Sequence, residues 1–250
     1  MDYRIKEEDF SRLFSLLRGI KGLHTGCPEK LRTFIEAVGY ILRSGAQWRL
    51  LPETYGNWSR IYRRFKRWSD WGVWTYVFES VQKDGDAEYV SIDSTIVRAH
   101  ACAAGLRKSS QDEQALGRSK GGFSTKIHAL VDALGLPLKF ILTPGQRNDC
   151  TQAAEITKDI SGTQVIADKG YDVNSIVEDL EKKGCTAVIP SKKNRKVPRT
   201  YDRELYKERH VIECFFGKLK HYRRVFSRFE KSASAFLSFL CLAGTLIWLR

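Results

Sequence analysis

A change of pattern near residue 88 constrains this chain more than any other feature of it. Before that point apolar residues recur at helical spacing: Leu31, Phe34, Ile35, Val38, Ile41 and Leu42 mark one face of a helix over 28–43. A short WRLLP segment follows, and a second helix is predicted over 57–68. After that point short β-rich runs alternate with helical ones. Strands are predicted at 88–93 (EYVSID), 124–133, 137–143, 163–168 and 186–191 (TAVIPS), with helices near 150–160 and 173–183 flanking the fourth. Leu134 and Gly135 join the second and third strands as a hairpin, and KDGD at 83–86 marks a hinge.

Three strands, helix, strand, helix, strand, helix is the ribonuclease-H-like plan of a mixed sheet, its three leading strands antiparallel and its later ones joined by crossovers. The expected fold class is therefore α/β, a ribonuclease-H-like mixed sheet with flanking helices, preceded by an all-α domain. The expected boundary divides 1–85 from 86–250. A chain of 250 residues with 42% hydrophobic content has enough material for such cores, which excludes disorder and collagen-like repeats. The tail at 232–249 is strongly apolar, but its length and four hydroxyl residues fit a buried helix better than a membrane span. Six cysteines stand singly with no CxxC pair, and no signal peptide is evident, so reduced thiols and a cytoplasmic, nucleoid-associated location are expected.

Charge narrows the partner. Lys and Arg number 42 against 29 Asp and Glu, a net charge of +13, and the segment 191–231 alone holds fourteen basic and five acidic residues. That field favours a polyanion, nucleic acid first and an anionic membrane second. On a helix over 57–68, Ile61, Tyr62, Phe65 and Trp68 form a core stripe, and Arg60, Arg63, Arg64 and Arg67 fall together on the opposite side. Four arginines without an acidic partner favour phosphate contact over a merely solvated face. The first helix, the WRLLP segment and this second helix resemble a helix-turn-helix, with 57–68 as recognition helix. Two loops, 103–122 and 191–199, are expected to add contacts and to be mobile until DNA arrives; the second offers Lys192, Lys193, Arg195 and Lys196 with no acid among them.

Asp93 ends the first predicted strand and Asp168 the fourth, and the strand order sets them side by side. Paired carboxylates repel unless a cation neutralises them, and hard oxygens suit Mg²⁺. Singly, each Asp is as well explained by a turn or a helix cap. A predicted helix over 206–222 supplies a third carboxylate, Glu213. At about 100° per residue, Tyr206, Arg209, Glu213 and Lys220 share an arc of about 60°, opposite Val211, Ile212, Phe215, Leu219 and Tyr222. On spacing alone a solvated charged face remains open for this quartet. Asp149 reads as a helix N-cap or as a supporting carboxylate, and His100 and His128 read as structural, having no ligand spacing to another His or Cys.

The quartet has the pattern Y-x2-R-x3-E-x6-K, and with IDST, GRSKGGFSTKIHALVDALGLPL, PGQRND and SGAQWRLLPETYGNWSRIYRRFKRW it resembles the DDE transposases of bacterial insertion sequences, in the groups named after insertion sequences four and five. The likeness runs almost end to end. It implies that Asp93, Asp168 and Glu213 are a catalytic triad holding two Mg²⁺ ions, with Mn²⁺ as a substitute. It also implies that Tyr206, Arg209 and Lys220 hold phosphates near the cut, and that the partners are double-stranded DNA and, at synapsis, a second copy of the chain. Only 44 residues separate Asp168 from Glu213, leaving no room for the β-rich insertion of some group-four members. A nuclease that does not join strands, and a DNA-binding protein that no longer cuts, remain as alternatives.

Overall fold

Strand β1 (Tyr89–Ala99) is the axis of a seven-stranded mixed sheet. The structure, a computed structural model, describes residues 4–23, 25–82, 85, 88–104, 110, 113–119 and 121–249. The remaining strands are β2 (Gly117–Ser119), β3 (Gly122–Asp132), β4 (Pro137–Pro144), β5 (Gln164–Ile166), β6 (Thr186–Val188) and β7 (Ser227–Arg228). β3 runs antiparallel to β1 and β4 antiparallel to β3, whereas β5 is parallel to β1 and β6 to β5. Five of the strands thus lie in the order β4-β3-β1-β5-β6, with the antiparallel trio and parallel crossovers expected from the sequence. Leu134 and Gly135 make the β3–β4 turn, where Gly135 takes φ of 75°, a left-handed value that only glycine adopts freely.

Four helices precede the sheet: α1 (Glu7–Arg18), α2 (Pro28–Ser44), α3 (Trp58–Asp70) and α4 (Val73–Ser80). Pro28 opens α2 where no amide donor is needed, and the Asn57 side chain caps α3 by accepting the Ser59 and Arg60 amides at 3.1 and 3.2 Å. Two 3₁₀ turns, Trp48–Leu50 and Glu53–Tyr55, fill the path from α2 to α3. That connection is far longer than the turn of about 3–4 residues in a helix-turn-helix. Later come α5 (Ala153–Ile156), α6 (Asn174–Lys182), α7 (Arg203–Tyr206), α8 (His210–Lys220), α9 (Arg223–Phe226) and α10 (Ala233–Trp248).

The two faces of the sheet are covered differently. Val90, Ile92 and Leu130 point toward Ile156, Val177 and Leu180 of α5 and α6. Ile127, Ala129 and Val131 on the other face meet Ile212, Phe215 and Leu219 of α8, in a core continuous with α10 and with Phe34, Val38 and Ile41 of α2. α10 is the apolar tail read as a buried helix, and it is sheathed on all sides. Phe239 stacks on Phe65 of α3 at 4.5 Å, and Phe78 of α4 stacks on Phe140 of β4 at 5.1 Å, so the N-terminal helices and the sheet share one interior. No helix among the described residues is long and apolar enough to cross a membrane.

Several expectations change in detail. β1 continues six residues beyond Asp93, because β3 pairs with it as far as Arg98 and β7 joins at Arg98 and Ala99. The helix expected over 206–222 is broken: α7 ends at Tyr206, a 3₁₀ turn (Lys207–Arg209) tightens the path, and α8 stops at Lys220, leaving Tyr222 extended. Lys83, Asp84 and Asp86 of the expected hinge, and much of the 103–122 loop, lie outside the described residues.

Two buried polar groups tie the halves together. Arg224 and Glu230, both almost fully buried, pair at 2.7 Å, and Arg224 also donates to the carbonyls of Gly45 and Ala46 just past α2. Removing one partner strands the other, so Glu230→Leu should cost about 3–5 kcal/mol in urea unfolding, with Arg224→Met added in the same chain recovering most of it. His128, in β3 and hydrogen-bonded through Nε2 to Thr143 Oγ1 at 2.9 Å, is held by burial at a pKa of about 4. Its unfolded form takes up a proton near 6.5, so stability should be full above that value and fall by roughly 3 kcal/mol as pH drops toward 4. His128→Gln should flatten that part of the pH profile in denaturant melts.

Candidate functional site

Register places the first two carboxylates. β1 and β5 pair in parallel as Tyr89↔Gln164, Val90↔Val165 and Ser91↔Ile166. Two residues further on each chain bring Asp93 and Asp168 abreast, on paths that were about 4.8 Å apart while paired. Asp93 therefore lies within its strand, not at its end, and is half-buried on the same face as Tyr89 and Ser91. Asp168 stands two residues past β5, where its Oδ1 accepts the Gly170 amide at 2.8 Å and caps a 3₁₀ turn (Lys169–Tyr171). Asp168 is therefore a cap, and its place abreast of Asp93 leaves its other carboxylate oxygen available to a ligand.

The third carboxylate arrives on α8, whose apolar stripe Ile212, Phe215 and Leu219 is fully buried against the sheet face that carries Asp93. Arg209, immediately before α8, reaches both acids: Nη1 donates to Asp93 Oδ2 at 3.0 Å, and Nη2 donates to Glu213 Oε1 one turn along. Tyr206, half-buried beneath α7, packs edge-on against Tyr201 at 5.5 Å; burial first, then the charges of Asp168 and Asp93, raise its phenol pKa, while Arg209 opposes them. Tyr206 and Arg209 thereby stand near Asp93 and Asp168, and Glu213 is joined to Asp93 through Arg209. Lys220 ends α8, seven residues or about 10 Å beyond Glu213, and is half-buried.

Asp93 is the strained member of the group. Burial raises its carboxyl pKa, the neighbouring Asp168 and Asp149 push it further, and the Ser94 amide at 2.7 Å and Arg209 oppose them. Asp149 is a member that the sequence reading had leaned away from. Asn148, not Asp149, occupies the cap position of the following turn, and Asp149 instead accepts Lys126 Nζ at 2.6 Å. Lys126 is nearly buried in β3 and also donates to the Arg147 carbonyl at 2.6 Å. A lysine inside an otherwise apolar strand requires an acid nearby, and that was the available signal. Tyr171 lies at the same place, its phenol pKa raised by burial and then by Asp149, Asp93 and Asp168.

The expected DNA-contact residues divide. Arg60, Arg63 and Arg67 are exposed along α3. Arg64 turns inward, its guanidinium 4.3 Å from the Phe34 ring and 4.9 Å from Trp68, and burial, then the Arg67 charge, lowers its pKa. In the 191–199 loop, Lys193 and Lys196 are exposed, whereas Lys192 and Arg195 are fastened to Asp172. Asp172, with a fully buried side chain, accepts the Lys192 amide at 2.8 Å and pairs with Arg195 at 2.7 Å and Arg199 at 3.4 Å. The acid missing from that loop is supplied from twenty residues upstream, which tethers the loop at Lys192, Arg195 and Arg199.

Among the described residues, no three His, Cys, Asp or Glu side chains converge as a ready metal-binding group. The donor chemistry nevertheless suits a hard divalent cation. Asp93 and Asp168 offer carboxylate oxygens in register, and Glu213 is separated from Asp93 only by the guanidinium that neutralises both.

Comparison with known proteins identifies the family of the chain. The family model described as "Transposase DDE domain" matches residues 84–248, and one described as "Putative transposase of IS4/5 family" matches residues 5–78. A Brucella ovis protein named "Putative transposase for insertion sequence element IS6501" is 47% identical over 132 residues, covering 51% of this chain and 99% of that relative. A Burkholderia cepacia protein named "Putative transposase for insertion sequence element IS402" is 32% identical over 135 residues, covering 49% of this chain and 62% of the relative. Among solved structures, the piggyBac transposase synaptic complex with hairpin DNA superposes with a TM-score of 0.41 at 12% identity, over 76% of this chain and half of that one. The chain belongs to the DDE transposases of bacterial insertion sequences.

Proposed function

We propose that this chain binds the terminal inverted repeats of its own insertion sequence, cuts the DNA at the element's ends and joins those ends to target DNA. Its sheet, in strand order and direction, supports a ribonuclease-H-like catalytic domain over 86–250, and in this reading the helices of 1–85 serve as the DNA-binding domain. The observation that carries the reading is the register that sets Asp93 beside Asp168, with Arg209 bridging Asp93 to Glu213.

In this reading Asp93, Asp168 and Glu213 hold two divalent ions, Mg²⁺ by preference and Mn²⁺ as a substitute. Bound there, the ions supply Lewis acidity toward the attacking water or 3′-hydroxyl and toward the leaving oxygen. The side chains of the protein do the rest. Burial and Asp168 raise the Asp93 carboxyl pKa, and the Ser94 amide and Arg209 favour the ionised form that a ligand must have. Arg209 and Tyr206 stand beside the carboxylates to orient the scissile phosphate, the guanidinium offering a planar fork and the phenol a single donor. Lys220, further along α8, neutralises phosphates on the flanking DNA. Arg60, Arg63 and Arg67 on α3, with Lys193 and Lys196, extend the basic surface along double-stranded DNA. The inward-facing Arg64 and the Asp172-paired Arg195 shape that surface, while Lys192, held only through its backbone amide, keeps its ammonium group for DNA. Two ends must be held at once, so the active species is a homodimer, working in the cytoplasm on nucleoid DNA.

A labelled duplex carrying the element's ends tests this. Mg²⁺ should support nicking at the ends and strand-transfer products, and EDTA should abolish both. Glu213→Gln should lower cleavage by about a thousandfold or more while end-binding in gel shifts survives. Cleavage without joining would identify a nuclease, and tight binding without cleavage under any divalent ion would identify a binder that no longer cuts.

A further inference from the structure

Arg209 holds two of the three carboxylates at once. One guanidinium nitrogen donates to Asp93 on the sheet at 3.0 Å and another to Glu213 on α8, with Arg209 about a quarter exposed. This fork does what a divalent cation would do there, setting positive charge between two acids that otherwise repel each other and their neighbour Asp168. The two arrangements compete. A divalent ion bridging Asp93 and Glu213 would take carboxylate oxygens at roughly 2.1 Å and sit between the acids where the guanidinium now joins them. Arg209 lies directly on the carboxylates, and a phosphodiester competes for a guanidinium by the same two-pronged geometry as a carboxylate.

Resting on the metal-site reading above, we infer that Arg209 is a positioning residue that couples DNA binding to assembly of the metal site. Without DNA it lies across Asp93 and Glu213 as an internal cation; a backbone phosphate draws it off and frees both carboxylates for metal. Coupling of this kind is reciprocal, so metal tightens DNA binding by the factor by which DNA tightens metal binding. The carboxylate site is then complete only when DNA lies on it, which protects the cell from idle hydrolysis.

The test is Mn²⁺ affinity, read from the electron paramagnetic resonance signal of the free ion. The full chain is measured alone and with a duplex carrying the element's ends, and Mn²⁺ bound by DNA alone is subtracted. Wild type should bind Mn²⁺ about tenfold or more tightly with DNA than without it. Arg209→Gln should bind Mn²⁺ without DNA as tightly as wild type does with DNA, and DNA should add little. Arg209→Lys keeps the charge but loses the fork, and should fall between them; it also serves if the Gln variant fails to fold by circular dichroism. A gain of metal affinity is not what structural damage produces. If both variants bind Mn²⁺ no better than wild type in the absence of DNA, the coupling is wrong while the metal reading stands. If Mn²⁺ binds in no state, with or without DNA, the metal reading fails and the coupling with it.

Discussion

Parallel pairing of β1 with β5 over three residues, Tyr89 to Ser91 against Gln164 to Ile166, is the contact on which the rest of the site depends. A slip of one residue would turn Asp168 to the opposite face from Asp93. The pairing stops just before the two acids, so their side chains enter the crevice where the strands part, the place in an open α/β sheet where ligands are received. Everything else brings charge to that crevice: α8 carries Glu213 in on an apolar stripe, and Arg209 arrives just ahead of it.

Electrostatic accounting explains why so many buried ions surround this point. Asp93 is opposed by Asp168 and Asp149, and Lys126 answers Asp149 from within β3. Behind the site, Arg228 is fully buried, its guanidinium donating to the Ala115, Glu230 and Lys231 carbonyls and to Thr125 Oγ1, and burial lowers its pKa to about 10. Buried charges of this sort are held by their hydrogen bonds and are costly to strand. They also connect the basic 191–231 segment to the interior, so its many cations do not all face outward.

Much of this was legible in the sequence because periodicity reports burial directly. The strand order, the buried apolar tail and the stripe of α8 all follow from spacing, and the shared arc of Arg209 and Glu213 became a real ion pair even though a 3₁₀ turn interrupts the helix. What the sequence hid was long-range pairing. The loop at 191–199 read as acid-free because Asp172 lies some twenty residues away, Arg64 read as solvent-facing because Phe34 comes from another helix, and the end of β1 was set by β3 and β7, not by its own residues. Asp149 reads as either a cap or a supporting carboxylate, and its pairing with Lys126 across the fold decides against the cap.

The most direct test of the central claim, that Asp93, Asp168 and Glu213 act as one metal-binding unit, is to let the metal report its own position. Fe²⁺ is loaded onto the full chain bound to a duplex carrying the element's ends, and ascorbate with peroxide generates hydroxyl radicals that cut the nearest backbone. Fragments ending near residues 93, 168 and 213 together, suppressed by excess Mg²⁺, are the predicted result. Cuts confined to one of those segments, or clustered elsewhere, would contradict it.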